Sequence, residues 1–97
     1  MQVITILEAD VATAGVGALE AAYREGTAQL DAGIDETFLV RDAKQPHAWR
    51  IITVWESREA LMAMRESGET PRGVLMFRAA GAEPTLTILD VAQSARK

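Results

Sequence analysis

Four short segments of the chain are rich in apolar residues and have the two-residue period of a β-strand, and helical patterns lie between them. The clearest alternation runs from Ala48 to Glu56 and predicts a strand with apolar residues on both faces. Further strands are predicted at Val3–Leu7, Thr37–Asp42 and Thr85–Val91. Each segment has the period of two that is typical of a β-strand and is rich in β-branched residues.

Apolar residues at steps of three and four predict helices between these strands. Val16 to Leu30 carries one such face, with Thr13 as its expected N-cap and Gly33 as the residue that ends it. Ser57 is expected to cap a second helix, which ends at Ser67–Gly68. The two helices and four strands are in the order of the split β-α-β arrangement.

The segment Arg72–Ala80 is open to two interpretations. Thr70 and Pro71 are typical of a helix start and Gly81 of a helix end, so we expect a short third helix. The apolar run Val74–Phe77 within it is also compatible with an extended segment. With the third helix, the order β-α-β-β-α-(α)-β predicts an α+β, ferredoxin-like fold with an antiparallel sheet.

Both faces of the predicted sheet are apolar, although a sheet with one wet face should alternate apolar and polar residues. In the first strand, for example, Ile4 and Ile6 oppose Val3 and Leu7. Leaving even ten such side chains in water would forfeit on the order of 10 kcal/mol, which rivals the stability of a small domain. We therefore expect a homodimer through the open sheet face, in the form of a dimeric α/β barrel. The alternative is that the third helix or a loop folds back over this face.

Length and composition restrict the function classes further. A chain of 97 residues is expected to form one domain over 1–97. A formal charge of −4 argues against a nucleic-acid partner, and no stretch is long and apolar enough to predict a membrane span. The N-terminal residues lack the pattern of a signal peptide, and the chain has no cysteine, so we expect a cytoplasmic location without disulfides or cysteine-bound metal.

The segment Trp49–Leu61, with the sequence WRIITVWESREAL, resembles the signature of antibiotic biosynthesis monooxygenase (ABM) domains. Its most specific part is Trp55–Leu61, where a strand that ends in Trp-Glu-Ser continues into the second helix. The resemblance implies a dimeric α/β barrel with a pocket between sheet and helices. In this family some members oxidise small aromatic, quinol-type substrates without a cofactor, and others degrade haem.

The haem-degrading branch uses an asparagine on the first strand, a tryptophan in the second helix and a histidine that binds iron. This sequence has no asparagine, both tryptophans fall in the third predicted strand, and the single histidine, His47, precedes that strand. We therefore expect neither haem nor any other cofactor, and no metal site.

A cofactor-free oxygenase needs a dry pocket, a base and a donor to the substrate oxyanion. His47 is a candidate base, Arg50 and Arg41 could hold an anionic oxygen, and Tyr23 could donate a hydrogen bond. The alternatives are a solvated turn histidine, paired surface arginines and a structural tyrosine. Candidates for an aromatic-binding pocket are the large apolar side chains Phe38, Trp49, Trp55, Met62, Met64, Met76 and Phe77, each of which could instead pack in the core.

Two functions remain open at this point. One is a cofactor-independent monooxygenase for a small aromatic or quinol-type substrate. The other is a non-catalytic dimer that binds a small hydrophobic ligand or supports assembly. They differ in whether polar side chains point into the pocket, so the position of His47, Arg50 and Tyr23 decides between them.

Overall fold

The computed structural model describes residues 1–97 and contains four strands and three α-helices. A 3-10 turn, Thr13–Gly15, leads into the first helix. No helix is long and apolar enough to cross a membrane. The elements are, in chain order, β1 (Val3–Asp10), α1 (Val16–Gly26), β2 (Ile34–Arg41), β3 (Ala48–Trp55), α2 (Arg58–Glu66), α3 (Arg72–Ala79) and β4 (Thr85–Asp90).

The four strands form one sheet in the order β2-β3-β1-β4, and all neighbouring strands are antiparallel. The element order and this sheet confirm the predicted α+β, ferredoxin-like fold. The sheet does not close on itself, so a barrel would require a second chain.

The register of the central strands sorts their side chains onto two faces. Val3, Thr5 and Leu7 of β1 lie opposite Trp55, Thr53 and Ile51 of β3. Most of these side chains are buried or half-buried beneath the helices. We call this side of the sheet the helical face.

Two clusters of buried residues hold the helices on the helical face. In the larger cluster, Leu19 of α1 and Phe77 of α3 pack with Trp49 and Ile51 of β3. In the smaller cluster, Leu61 of α2 packs with residues at the other end of β1 and β3, Val3 and Trp55. All three helices therefore cover the same face.

The opposite side of the sheet, the open face, has no helix on it. Ile4 and Ile6 of β1 lie here beside Val54 and Ile52 of β3, and Phe38 and Leu89 extend the apolar area to the outer strands. Phe38 is 44% exposed and Leu89 is 45% exposed. The alternative in which the third helix covers the open face is wrong, because α3 is buried in the larger cluster on the other side.

Local capping signals were predicted with mixed success. The Ser57 hydroxyl accepts a hydrogen bond from the backbone N–H of Ala60, which confirms the cap of α2. The predicted cap at Thr13 is wrong: Thr13 begins the 3-10 turn, and Gly15 occupies the N-cap of α1 without a side-chain bond. The expected short third helix is confirmed, since α3 spans Arg72–Ala79, and the extended alternative for Val74–Phe77 is wrong.

Helix α1 ends at Gly26, four residues before the predicted Leu30. Both the backbone N–H and the hydroxyl of Thr27 donate to the carbonyl of Tyr23, which closes the last turn. Gly33 adopts the predicted positive φ, at 91°, but it belongs to the turn before β2 rather than to the helix end. A Cβ on Gly33 would lie 2.6 Å from the Cβ of Ala60, so glycine lets this turn approach α2.

Candidate functional site

A cavity of about 390 Å³ lies between the helical face of the sheet and the three helices. This volume falls within the range of small-molecule sites. Side chains from β1, β2 and β3 form its floor, and the ends of α1, α2 and α3 form its walls. The floor residues that matter most are Thr5, Leu7, Thr37, Ile51, Thr53 and Trp55.

Three threonines form a polar row across the middle of this floor. Thr53 of β3 is the register partner of both Thr37 on β2 and Thr5 on β1, so the three side chains lie at one level on the same face. The Thr37 and Thr53 hydroxyl oxygens are 3.3 Å apart. Together they place hydroxyl groups in a cavity whose other floor residues are mostly apolar.

Two aromatic side chains extend the threonine row through hydrogen bonds. The Tyr23 hydroxyl, on α1, lies 3.5 Å from the Thr37 hydroxyl and donates to it. At the other end of the row, the Trp55 indole N–H donates to the Thr5 hydroxyl at 3.1 Å. Neutral hydrogen-bonding groups from a helix and three strands thus meet at one surface of the cavity.

The walls include flexible apolar side chains. Met64 of α2 and Met76 of α3 both line the cavity, and methionine adapts its shape to irregular spaces. Gly26, at the end of α1, makes room for Met76, because a Cβ at position 26 would overlap the Met76 methyl group. The cavity's size at this wall therefore depends on Gly26 and Met76 together.

Arg72 joins α3 to the segment between α1 and β2 at the rim of the cavity. One guanidinium nitrogen donates to the carbonyl oxygens of Gly26 and Gln29, both at 3.1 Å. Another lies 3.2 Å from an Asp31 carboxylate oxygen. Arg72 and Asp31 both line the cavity and bring charge to its rim.

A second ion pair lies among the lining residues, between Arg78 and Glu83. Two nitrogens of the Arg78 guanidinium donate to the Glu83 carboxylate, at 2.8 and 3.0 Å. This hydrogen bonding lowers the pKa of Glu83 and raises the pKa of Arg78. Arg65 also lines the cavity and forms no ion pair.

The structure brings four of the sequence-predicted site residues to the cavity. They are Tyr23, Trp55, Met64 and Met76. Tyr23 and Trp55 contribute polar groups to the floor, as described above, while the two methionines form wall surface.

His47 and Arg50 are not brought to this cavity. His47 is exposed in the turn before β3 and lines a separate shallow pocket with Gln45 and Val11. Arg50 lies on the open face, because alternation along β3 points it away from Ile51. It pairs there with Glu8 and Asp42. Hydrogen bonds to these carboxylates, first Glu8 and then Asp42, raise the pKa of Arg50.

The remaining predicted pocket residues are also placed elsewhere. Phe38 lies on the open face beside Ile52. Its neighbour Thr37 points to the helical face, and successive side chains of a strand point to opposite faces. Trp49 and Phe77 are buried in the larger cluster and fill core volume. Arg41, the other strand arginine considered above, lies over the Trp49 ring at 5.7 Å. Met62 is half-buried on α2 outside the cavity lining.

The threonine row was missed by sequence reasoning, although a signal for it exists. Thr53 interrupts an otherwise apolar face, between Ile51 and Trp55, and Thr5 interrupts the face of β1 in the same way. A polar residue at an inward position is expected to find a partner or line a cavity.

The structure shows no candidate metal site. No three His, Asp or Glu side chains come together in an arrangement that could hold a metal ion.

The fold and the cavity define a ferredoxin-like α+β protein with a ligand-sized site between sheet and helices. The sequence model of the antibiotic biosynthesis monooxygenase family matches residues 3–73. The chain therefore belongs to the ABM family, as the segment Trp49–Leu61 indicates. No relative among curated proteins matches the sequence.

Solved structures with the same fold cover nearly the whole chain. A proposed antibiotic biosynthesis monooxygenase from Deinococcus radiodurans is 16% identical, with a TM-score of 0.71 over 98% of this chain and 97% of its own. SnoaB, a cofactor-independent oxygenase from Streptomyces nogalater, is also 16% identical, with a TM-score of 0.71 over 99% and 98%. A proposed family member from Caulobacter crescentus is 17% identical, with a TM-score of 0.72 over 95% and 91%. At these identities the likeness shows the shared fold.

Proposed function

We propose that this chain is a cofactor-independent monooxygenase that acts on a small aromatic, quinol-type substrate in the cavity between sheet and helices. The observation that supports the proposal is the threonine row: neutral hydrogen-bonding groups lie on the floor of a site whose walls include apolar side chains. Such a floor suits a flat ring system that carries oxygen atoms. Family membership and the fold shared with SnoaB favour the same chemistry.

The reaction needs no external reductant, because a phenol can supply all four electrons that O₂ accepts. One oxygen atom becomes a carbonyl oxygen on the ring carbon para to the phenol, and that carbon loses its hydrogen. The phenol loses its O–H proton and becomes the second carbonyl. The two hydrogens leave with the other oxygen atom as water, so the products are a quinone and one water molecule.

The floor hydroxyls would promote this reaction by favouring the phenolate form of the substrate. Hydrogen-bond donors stabilise an oxyanion more than a neutral phenol, and the effect is larger where water is excluded. Tyr23 supports the donors in this scheme, because its hydroxyl donates to Thr37 and orients the hydroxyl of the next threonine.

We also propose that residues 1–97 act as one domain and form a homodimer through the open face. The apolar side chains of this face lie on neighbouring strands, the helices pack on the opposite face, and Phe38 and Leu89 are exposed. A contiguous exposed apolar patch on a small protein is typical of an interaction site. A second copy of the same sheet presents a surface of matching chemistry, which completes the barrel that the single chain leaves open.

Oxygenation of 1,5-dihydroxynaphthalene under ¹⁸O₂ tests the proposed activity. We expect O₂ uptake, a hydroxylated naphthoquinone that carries one ¹⁸O atom, and the second ¹⁸O in water. Formation of unlabelled product together with hydrogen peroxide would contradict a monooxygenase. Tyr23→Phe should lower kcat/KM about two- to tenfold, the range of one hydrogen bond, while His47→Ala should leave it unchanged.

A non-catalytic ligand-binding protein is the second candidate, and one feature of the cavity favours it. The groups on the floor are hydroxyls and an indole, none of which is an ordinary base near neutral pH. Three carboxylates line the cavity: Asp31 and Glu83 are held in ion pairs with arginines, and Glu69 is exposed on the loop before α3. Tight binding of naphthalene-sized ligands without O₂ uptake would favour this candidate over the monooxygenase.

A further inference from the structure

We propose that the Thr53 and Thr5 hydroxyls form a two-donor site that selects aromatic ligands by their acceptor oxygens, with quinone-type carbonyls or phenolates as the preferred class. The inference rests on the proposed occupation of the cavity by an aromatic ligand, and it adds which atoms recognise that ligand. It follows from counting the protons in the hydrogen bonds on the floor.

The first free donor comes from the row Tyr23–Thr37–Thr53. The Tyr23 proton is used in its bond to Thr37. The bond between Thr37 and Thr53 uses one of their two hydroxyl protons. A hydroxyl has only one proton to donate, so one of these two hydroxyls keeps a proton that no protein group accepts. Either oxygen could donate in this bond. Because Thr37 already accepts from Tyr23, donation from Thr37 to Thr53 gives a cooperative chain, and we assign that direction, in which the free proton is that of Thr53.

The second free donor is Thr5. Its hydroxyl accepts the N–H of Trp55, and this is the one hydrogen bond that the hydroxyl makes. Indole nitrogen is a donor only, so the direction of the bond is fixed and the Thr5 proton remains available. Thr5 is 8% exposed, yet it lines the cavity, and a ligand there is the natural acceptor.

The two free donors are neighbours on the sheet. Thr5 and Thr53 are register partners on β1 and β3, and the Cβ atoms of such partners lie about 4.5–5.5 Å apart. A carbonyl or phenolate oxygen has more than one lone pair, so a single ligand oxygen above this pair can accept from both hydroxyls. A ligand without acceptor oxygens would cover both donors, the buried one of Thr5 and the half-buried one of Thr53, without giving them a partner, which is costly.

Two ligands of the same ring size separate recognition of oxygen from recognition of shape. We would measure the binding of 1,4-naphthoquinone and of naphthalene to the full chain by isothermal titration calorimetry, with the protein in the syringe. The chain has no cysteine that could react with the quinone. The variant Thr53→Val keeps the side-chain shape and removes the donor, while Thr53→Ser keeps the donor.

Thr53→Val should weaken quinone binding about two- to tenfold and leave naphthalene binding within twofold of wild type. Thr53→Ser should restore quinone binding. Thr13→Val, in the exposed 3-10 turn and outside the cavity, is the matched control and should change neither affinity. If Thr53→Val fails to fold, Thr5→Val tests the second donor, because it removes the free Thr5 proton and should also weaken quinone binding selectively.

The outcomes distinguish this inference from the proposed activity. Quinone binding that does not depend on Thr53, or equal losses for quinone and naphthalene, would overturn the two-donor site and leave the monooxygenase standing. Selective loss in Thr53→Val without turnover of 1,5-dihydroxynaphthalene would support the two-donor site and count against the monooxygenase. Failure of wild type to bind either ligand would overturn both.

Discussion

The indole N–H of Trp55 donates a hydrogen bond to the hydroxyl of Thr5 at 3.1 Å, across the central strand pair of the sheet. Trp49 lies on the same strand and face, yet its indole N–H is buried without a partner. The two tryptophans of β3 therefore provide a matched pair for measuring what this hydrogen bond contributes.

Trp55→Phe is expected to lower the free energy of unfolding more than Trp49→Phe does. Both changes remove a similar amount of buried ring, but only Trp55→Phe breaks a hydrogen bond and leaves a buried hydroxyl without it. The difference should be about 1 kcal/mol. Urea unfolding of the two variants measures it, and an equal or larger loss in Trp49→Phe would show that the Trp55–Thr5 bond adds nothing to stability.

Ile52→Asp is expected to break the proposed homodimer. Ile52 lies in the middle of the open face, between Phe38 and Ile6, so a charge there would be buried without a partner in the interface. We expect wild type to sediment at twice the chain mass of 10.5 kDa and Ile52→Asp at or near the mass of one chain. Ala63→Asp, on an exposed site of α2, is the control and should remain dimeric. A wild-type protein that sediments as one chain at micromolar concentration would remove the dimer.

Gly26→Ala is expected to reduce the cavity without unfolding the protein. The new methyl group would overlap the Met76 methyl, which must move toward the cavity or out of its place in the core. Affinity for naphthalene should fall, and Gly26→Ala combined with Met76→Ala should regain it. Gly17→Ala in the same helix meets no atom within 4 Å and should stabilise α1 by about 0.5–1 kcal/mol with unchanged binding. Unchanged naphthalene affinity in Gly26→Ala would mean that this wall does not limit the ligand.

Asp42 is expected to make stability depend on pH in the acid range. The backbone N–H groups of Lys44 and Gln45, and then Arg50, hold the pKa of Asp42 below its ordinary value of 3.8. A carboxyl whose pKa is lowered by folding stabilises the native state above its unfolded pKa and loses that contribution as the pH falls through its folded pKa. The stability difference between wild type and Asp42→Asn should therefore be constant near neutral pH and shrink below about pH 3.8.

Urea unfolding at a series of pH values checks this dependence. Repeating the series in 1 M salt separates the two causes, because salt screens Arg50 while the backbone hydrogen bonds remain. We expect most of the stability difference between wild type and Asp42→Asn to remain in 1 M salt. A difference that stays constant through pH 3 would contradict the lowered pKa.

The sequence was informative wherever one strand or helix carries its own pattern. Alternation from Ala48 to Trp55 predicted β3 and the two faces of its side chains, and Ser57 predicted the start of α2. The open face followed from the same alternation, since Ile52 and Val54 had to point away from the tryptophans. Each of these predictions needs only residues close together in the chain.

The candidate site depended instead on register between strands that are far apart in sequence. Thr5 and Thr53 meet because β1 and β3 pair in one particular alignment, which no local pattern specifies. The same dependence explains why Phe38 was grouped with Trp55, although they lie on opposite faces. His47 was selected for its chemistry alone, and it is exposed in the turn before β3, outside the cavity lining.

Strand β3 supplies the floor of the cavity with its odd-numbered residues and the centre of the open face with its even-numbered ones. Insertion or deletion of one residue near its start would exchange the two sets, and would place Arg50 under the helices and Thr53 outside. The proposed ligand site and the proposed dimer interface would then be lost in the same variant. This strand is therefore expected to tolerate replacement of side chains far better than any change in length.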